Sequence, residues 1–180
     1  MFKIGDYIVC GNNGVCIVDS VGPVDVPGIP SDKIYYTLIP HNTNGKKIFT
    51  PVDNERVIMR PVIDKDEALN LINDIINIDS LWDMDKKRRE QAYKEAFQKC
   101  DCRELIKIIK TIYLHSQSRL AEGKKVTAGD ERYFQMAEDR FYGELSIPFQ
   151  MDKEEVKEFV TSRVEELTAE NQNIKSMVSN

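Results

Sequence analysis

The sequence lacks long hydrophobic runs and the features of an export signal. None of its apolar stretches is long enough to cross a lipid bilayer as a helix. The N-terminal residues MFKIGDYIVC have neither the charged start nor the long apolar stretch of a signal peptide. We therefore expect a cytoplasmic protein that makes no membrane contact and keeps its cysteines as reduced thiols.

Sequence motifs of catalytic sites are also missing. The chain has no G-x-x-x-x-G-K-[ST] or G-x-G-x-x-G loop, no H-E-x-x-H zinc motif and no G-x-S-x-G nucleophile motif. Its two histidines are His41, in an Asn-rich turn, and His115, inside a helical pattern. Neither belongs to a group of residues typical of catalysis. We therefore predict that the protein is not an enzyme and has no cofactor.

The four cysteines form two pairs, Cys10 with Cys16 and Cys100 with Cys102. Neither pair has C-x-x-C spacing or a nearby histidine, so the usual zinc-site patterns are absent. A four-thiolate zinc site would require the two segments to meet in the fold. Buried or incidental thiols are the better explanation, and we predict no metal site.

The chain has no overall excess of positive charge, because 25 Lys and Arg against 30 Asp and Glu give a formal net charge of −5. The distribution is uneven, however. Residues 81–125 contain twelve basic and seven acidic residues, a net charge of +5, whereas residues 61–80 carry −4 and residues 126–180 carry −6. A basic patch therefore lies between two acidic segments, and the total charge conceals it.

The first part of the chain shows the pattern of short β-strands joined by turns. The candidate strands are GDYIVC, VCIVDSV, KIYYTLIP, KKIFTPV and RVIMRPV. GNNG favours a hairpin because Asn and Gly tolerate positive φ, and HNTNG is a second turn. Five short strands with turns between them are typical of a small antiparallel β-barrel.

Beyond this part proline becomes rare, and apolar residues recur at the spacing of three and four that indicates helices. Candidate N-caps are Asp64, with a glutamate three residues later as in a capping box, and then Asp101 and Thr127. We predict an α+β fold, with a β-barrel domain over residues 1–61 and a bundle of about five helices over residues 62–180.

The only tryptophan, Trp82, closely precedes the densest block of positive charge, KKRR at residues 86–89. A helix N-terminus attracts phosphate. Proteins that bind the minor groove of DNA combine basic side chains, which bind phosphates, with an apolar side chain that acts as a wedge between base pairs. One hypothesis is therefore that this segment faces a nucleic acid. The alternative is that Trp82 packs against the bundle at the helix start, and that the four basic residues form a solvated helix face.

Several segments carry, in order, the motifs of one known family. FKIGDYIVCGNNGVCIV is close to "F-x-x-G-D-x-V-V-Y-x-x-x-G", and TPVDNERVIMRPV resembles "V-P-x-D-N-x-x-x-x-x-x-R". A tryptophan, two arginines and an acidic cap follow. TAGDERYFQMAEDRFYGELS is similar to "L-S-x-x-E-x-x-x-x-x-x-A-x-x-x-L-x-x-E-L". Over roughly residues 2–160 the chain therefore resembles the CarD/CdnL group of bacterial transcription regulators.

The resemblance implies a barrel similar to a Tudor or SH3-like fold that docks on the RNA polymerase β subunit. It also implies a helical domain that contacts promoter DNA, with low sequence specificity, at the upstream edge of the transcription bubble. Trp82 would then be a minor-groove wedge that stabilises the open promoter complex. The basic residues that contact DNA would be Lys86, Lys87, Arg88, Arg89 and Arg132. The polymerase contact would come from a strand edge containing Lys46, Lys47, Ile48, Phe49 and Thr50. The resemblance further implies a nucleoid-associated protein that is a monomer when bound to polymerase.

Two departures from the family pattern bear on these assignments. The arginine expected shortly before V-P-x-D-N is replaced by KKIFT, so that Lys47 or Phe49 stands there. Four extra residues, DMDK, separate Trp82 from the double arginine and add two acids beside the wedge. The alternative function is a protein-interaction adaptor that does not bind DNA and whose basic helix is solvated.

Overall fold

The chain forms a β-sheet followed by helices, which confirms the α+β prediction. The computed structural model describes residues 1–30, 32–41 and 45–178, the last six of these by their backbone alone. The strands are Tyr7–Cys10 (β1), Val15–Gly22 (β2), Tyr35–Pro40 (β3), Ile48–Pro51 (β4) and Met59–Pro61 (β5). The helices are Lys65–Asp74 (α1), Lys86–Lys99 (α2), Cys102–Ala121 (α3), Ala128–Phe149 (α4) and Lys153–Val178 (α5). Two short 3-10 turns, Gly11–Asn13 and Ile75–Asn77, follow β1 and α1.

The five strands make one antiparallel sheet in the order β4-β3-β2-β1-β5. The GNNG segment joins β1 to β2 as predicted, and the Cys10 N–H donates to the Gly14 carbonyl at 2.9 Å across the turn. Gly14 has φ of 68°, a conformation that glycine adopts without strain. The centre of the second predicted turn, at residues 42–44, lies outside the described residues.

The sheet is open, so the predicted barrel closure is not observed. In the described residues β4 pairs with β3 alone and β5 pairs with β1 alone, so the two edge strands do not meet. The physical reason lies in β5, which is only three residues long and is held by the helices. Arg60 on β5 donates from Nε to the Cys100 carbonyl at 2.7 Å. The chain then continues into α1 instead of returning to β4.

The helix starts follow the predicted capping residues. Asp64 and Glu67 form a capping box at α1, Asp101 caps α3 and Thr127 caps α4, each by accepting a backbone N–H. Helix α2 starts after Asp85, whose side chain accepts from the Arg88 N–H. Each cap satisfies an N–H group that would otherwise lack an intrahelical partner, which explains why these residues set the boundaries.

The helical half has its own hydrophobic core between α1, α2, α3, α4 and α5. Its fully buried side chains include Ile72, Tyr93, Ile108, Ile112, Phe141, Leu145 and Val156. A smaller cluster, with Ile8, Val18 and Leu38 among its members, fills one side of the sheet. No helix in the described ranges is both long enough and apolar enough to cross a membrane.

A buried ionic cluster joins the sheet to the helices. The Glu144 carboxylate on α4 is 3% exposed and accepts two hydrogen bonds from the Arg60 guanidinium, at 2.5 and 2.8 Å. It also accepts from the Ile63 N–H at 3.2 Å and lies 3.2 Å from the Cys102 thiol. Because its partners lie on β5, just after β5 and at the start of α3, this carboxylate on α4 fixes β5 against α3 and α4 and links the two halves.

Candidate functional site

The outer edge of β4 is an unpaired strand edge in the described part of the sheet. The Val52 N–H donates inward to the Ile34 carbonyl on the β3 side at 3.1 Å, and the register pairs Phe49 with Thr37. Backbone groups of an antiparallel strand point to alternate sides, so the N–H and C=O of Phe49 point away from the sheet. Pro51, two residues later, has no N–H, and its carbonyl already accepts from the Asn54 N–H at 3.1 Å.

The five residues predicted to contact polymerase are not equally accessible to a binding partner. Lys46 is exposed, and the Lys47 ammonium forms an ion pair with Asp19 of β2 at 2.9 Å. Thr50 is buried and accepts a hydrogen bond from Asn54, and Ile48 packs against the sheet core. Phe49 is half-buried on the opposite side of β4. The edge therefore offers the Phe49 backbone and the two lysines, whereas Ile48 and Thr50 hold the strand in place.

Trp82 lies in a tight turn between the second 3-10 turn and α2. The Met84 N–H donates to the Leu81 carbonyl at 3.2 Å and closes this turn. Leu81 packs against the helical core, whereas Trp82 is 41% exposed and Met84 is 39% exposed. The apolar anchor of the turn is therefore Leu81, and the indole is not sealed inside the bundle.

Helix α3 holds the backbone that leads to this turn. The Thr111 hydroxyl accepts from the Leu81 N–H at 2.8 Å and donates to the Lys107 carbonyl at 2.6 Å. The Lys110 ammonium donates to the carbonyls of Ile75, Ile76 and Ile78. Burial lowers the pKa of Lys110, while nearby Asp79 raises it. These bonds fix the path of the segment that presents Trp82.

The N-terminus of α2 is already occupied by a carboxylate. Asp85 Oδ1 accepts from the Arg88 N–H at 3.1 Å, and Asp85 Oδ2 lies 3.3 Å from the Arg88 guanidinium. A free helix N-terminus attracts phosphate, but here Asp85 accepts one of the end N–H groups and places a negative charge beside the others. We therefore expect phosphate contacts at this end to come mainly from the side chains of α2.

The cations of α2 fall into two groups. The side chains of Lys86 and Arg88 are 80% and 82% exposed. Lys86 lies 3.9 Å from Glu90, and Arg88 contacts the capping Asp85. Lys87 is exposed and makes no ion pair with any described residue. Arg89 is half-buried, and its Nη1 donates to the Met84 carbonyl at 3.0 Å. Arg89 therefore braces the tryptophan turn, which leaves three cations facing solvent.

Arg132 is exposed on α4, and its side chain makes no hydrogen bond or ion pair with any described residue. The neighbouring Tyr133 ring packs against Tyr93 of α2 with centroids 5.2 Å apart, and lies stacked on Phe97 at 6.2 Å. These contacts bring the first turns of α4 beside α2. Arg132 is thus on the helix next to the basic run, whereas the β4 edge belongs to the other half of the molecule.

The sequence of the β-sheet half matches a known family model. The model is described as the CarD-like/TRCF RID domain, and it aligns with residues 2–63. Residues 2–63 are therefore similar to a CarD-like/TRCF RID domain and are called the RID domain from here on. RID denotes an RNA-polymerase-interacting domain, so the match supports a transcription-related role in binding RNA polymerase. The match covers all five strands and ends before α1. No curated protein matched the chain.

The junction between the RID domain and the helices contains two of the four cysteines. The Cys100 thiol donates to the Gly11 carbonyl of the RID domain at 3.5 Å, and Cys102 contacts Glu144. Cys10 and Cys16 lie inside the sheet, and all four thiols are buried and unpaired as disulfides. Among the described residues no group of three or more His, Cys, Asp or Glu side chains has metal-ligand geometry.

One residue beside the tryptophan was not recognised from the sequence. His115, on the C-terminal half of α3, contacts the Trp82 ring edge to face, with centroids 5.7 Å apart and an interplanar angle of 62°. Its Nδ1 lies 3.5 Å from Asp130 on α4. The three residues come from separate segments of the sequence, so no local pattern indicates that they meet.

Proposed function

We propose that this protein is a bacterial transcription regulator that binds the polymerase β subunit through its RID domain and stabilises the open promoter complex through the Trp82 turn. The observation that carries the proposal is the exposed indole beside solvent-facing cations, on a helical body fixed to a polymerase-interacting domain. The protein acts by binding, not by catalysis.

The free edge of β4 suits docking by strand addition. In that mode an extended segment of the partner pairs with an exposed edge, and main-chain hydrogen bonds supply most of the affinity. Phe49 offers an outward N–H and C=O, and Lys46 and Lys47 lie at the start of the strand. Pro51 has no N–H to donate, which limits the added strand to a short segment. An acidic segment of the β subunit would complement Lys46, and would have to replace Asp19 as the partner of Lys47.

The tip of the tryptophan turn suits a minor-groove contact. Trp82 and Met84 form an exposed apolar tip, and apolar side chains of this kind insert between base steps and kink the duplex. Lys86, Lys87 and Arg88 follow within one helical turn of the tip and can reach phosphates on either side of it. No base-specific hydrogen bond is needed, so we infer low sequence specificity.

The modest basic charge fits a regulator that is delivered to DNA by its partner. Docking on polymerase gives the helical half a high effective concentration at the promoter, so weak intrinsic DNA affinity suffices. The Arg60–Glu144 cluster fixes the tip relative to the docking edge, which preserves this advantage. The tip then shifts the equilibrium between the closed and the open promoter complex. The size of the shift equals the difference in binding free energy of the tip for the two forms.

The test is the lifetime of the open promoter complex after challenge with a DNA competitor. Trp82→Ala should shorten the lifetime while polymerase binding and folding stay unchanged. Tyr113→Ala is the matched control, because Tyr113 is another exposed aromatic of the helical half, at 56% exposure. An unchanged lifetime for Trp82→Ala would contradict the DNA-contact proposal.

The second candidate is a polymerase-binding adaptor without a DNA contact. It is favoured by the contacts of Lys86 with Glu90 and of Arg88 with Asp85, which partly neutralise the basic run. In that case the RID domain still binds polymerase, but neither Trp82→Ala nor loss of the exposed cations changes the lifetime of the promoter complex.

A further inference from the structure

A chain of side-chain contacts runs from the start of α4 to the indole of Trp82. The Thr127 hydroxyl, which caps α4, donates to the Asp130 carboxylate at 2.8 Å and accepts from the Asp130 N–H at 3.1 Å. The same carboxylate oxygen, Oδ2, lies 3.5 Å from His115 Nδ1. The imidazole in turn meets the Trp82 ring edge to face.

Each member of this chain is fixed by the one before it. The Asp130 carboxylate accepts from the Thr127 hydroxyl, and the Asp130 N–H donates back to that hydroxyl, so the helix cap favours one orientation of the carboxylate. Its side chain is 18% exposed, and that of His115 is 28% exposed, so both are largely packed. The imidazole ring is therefore presented to the indole in one orientation. Aromatic pairs at this separation prefer such a tilted, edge-to-face arrangement.

The backbone contacts of the tryptophan turn do not fix the indole itself. Thr111 and Arg89 hold the Leu81 N–H and the Met84 carbonyl, which determines where the Cα of Trp82 lies. The side-chain torsions of a 41% exposed tryptophan remain to be fixed by a neighbour. A wedge that is ordered before it meets DNA avoids the entropy loss of being ordered on binding.

We propose that His115 is a positioning residue that holds the Trp82 indole in its outward orientation, with Asp130 and Thr127 setting the angle of the imidazole. The effect on open complexes rests on the function proposed above. The positioning itself does not, because it exists in the free protein.

The first test uses the fluorescence of the free protein, since Trp82 is the only tryptophan in the chain. His115→Gln removes the ring and should lower the fluorescence anisotropy of Trp82 and increase its quenching by acrylamide. His115→Phe keeps an aromatic ring but loses the nitrogen that faces Asp130, so its values should lie between those of the wild type and of His115→Gln. His41→Gln is the control, because His41 contacts the Tyr7 ring and not Trp82.

Two outcomes of this test overturn the proposal. One is an anisotropy for His115→Gln equal to that of the wild type. The other is an indole in His115→Phe that is as mobile as in His115→Gln. Circular dichroism verifies that each variant is folded. If His115→Gln does not fold, Asp130→Ala decides. It removes the partner of the imidazole but keeps the ring, so the anisotropy of Trp82 should fall to the level of His115→Phe, and a wild-type anisotropy would overturn the proposal.

The second test places the same substitution in a double-mutant cycle with Trp82→Ala and measures the lifetime of the open complex. His115→Gln should shorten the lifetime when Trp82 is present and have no further effect when it is alanine. Equal shortening in both backgrounds would overturn the proposal. If Trp82→Ala itself changes nothing, the function proposed above fails, while the fluorescence result still decides the positioning role.

Discussion

The glutamate at the junction of the two halves should be one of the least replaceable polar residues of the protein. Glutamine at position 144 keeps the shape of the side chain but removes its charge and one acceptor oxygen. Arg60 would then be left without its counter-charge, and breaking a buried ion pair in this way costs about 3–5 kcal/mol. The Arg60 side chain is 26% exposed, so water screens part of the loss. We therefore expect a cost of about 3 kcal/mol for Glu144→Gln.

Urea unfolding measures this cost directly, and a thermal scan should show a melting temperature lower by about 6–12 °C. Glu138→Gln is the matched control, because Glu138 is on the same helix and pairs with Lys157, whose side chain is 41% exposed. The Glu138 side chain is 15% exposed, but water screens the pair from the Lys157 end, so the pair should contribute about 1 kcal/mol or less. If Glu144→Gln costs no more than Glu138→Gln, the cluster does not hold the two halves together.

Three further predictions concern the whole fold, the strand edge and the basic run. Folding stability should fall above about pH 9, because burial, and secondarily Cys10, raises the pKa of the Cys16 thiol from 9.0 to about 12. The folded state then retains a proton that the unfolded state releases, at a cost of about 1.4 kcal/mol per pH unit for each such thiol. Urea unfolding at pH 8 and pH 10 tests this, and Cys16→Ala should reduce the difference; equal stability at the two pH values would contradict it. Phe49→Pro removes the outward N–H of β4 and should abolish capture by a β-subunit fragment, whereas Phe49→Ala keeps that N–H and should retain most of it. Equal binding by the two variants would exclude strand addition at this edge. Replacing Lys86, Lys87 and Arg88 by glutamine should lower the slope of log lifetime against log salt concentration for the open complex by about 2 to 3. Lys124→Gln, which removes a cation paired with Glu122, is the control, and an unchanged slope in the triple variant would mean that the run does not contact phosphate.

Local sequence signals predicted the elements of the fold well. A capping residue acts within its own first turn, so Asp64, Asp101 and Thr127 could be assigned from neighbouring residues alone. The same holds for the GNNG hairpin, where the turn chemistry lies within four residues. Barrel closure was not observed, because it depends on where β5 is held. The position of β5 is set by the hydrogen bonds of Arg60 to Cys100 and Glu144. Both partners lie far along the chain, so no local sequence pattern predicts these bonds.

The candidate site shows the same division between local and long-range information. The cap at Asp85 follows from the break between two helical patterns, whereas the sequence left open whether Trp82 is exposed or packs against the bundle. The role of Arg89 could not be expected, since its side chain turns back to the Met84 carbonyl instead of facing solvent. The helical pattern predicts only that His115 lies on a helix, and the packing of α3 against α4 brings it to the indole and to Asp130.

The most direct measurement is photocrosslinking from position 82 in the assembled promoter complex. With a photoreactive phenylalanine in place of Trp82, crosslinks should form to bases at the upstream edge of the bubble, and only when polymerase is present. The same group at position 113 should give none. Absence of DNA crosslinks from position 82, or equal crosslinking from both positions, would contradict a tryptophan turn that reaches the opened duplex.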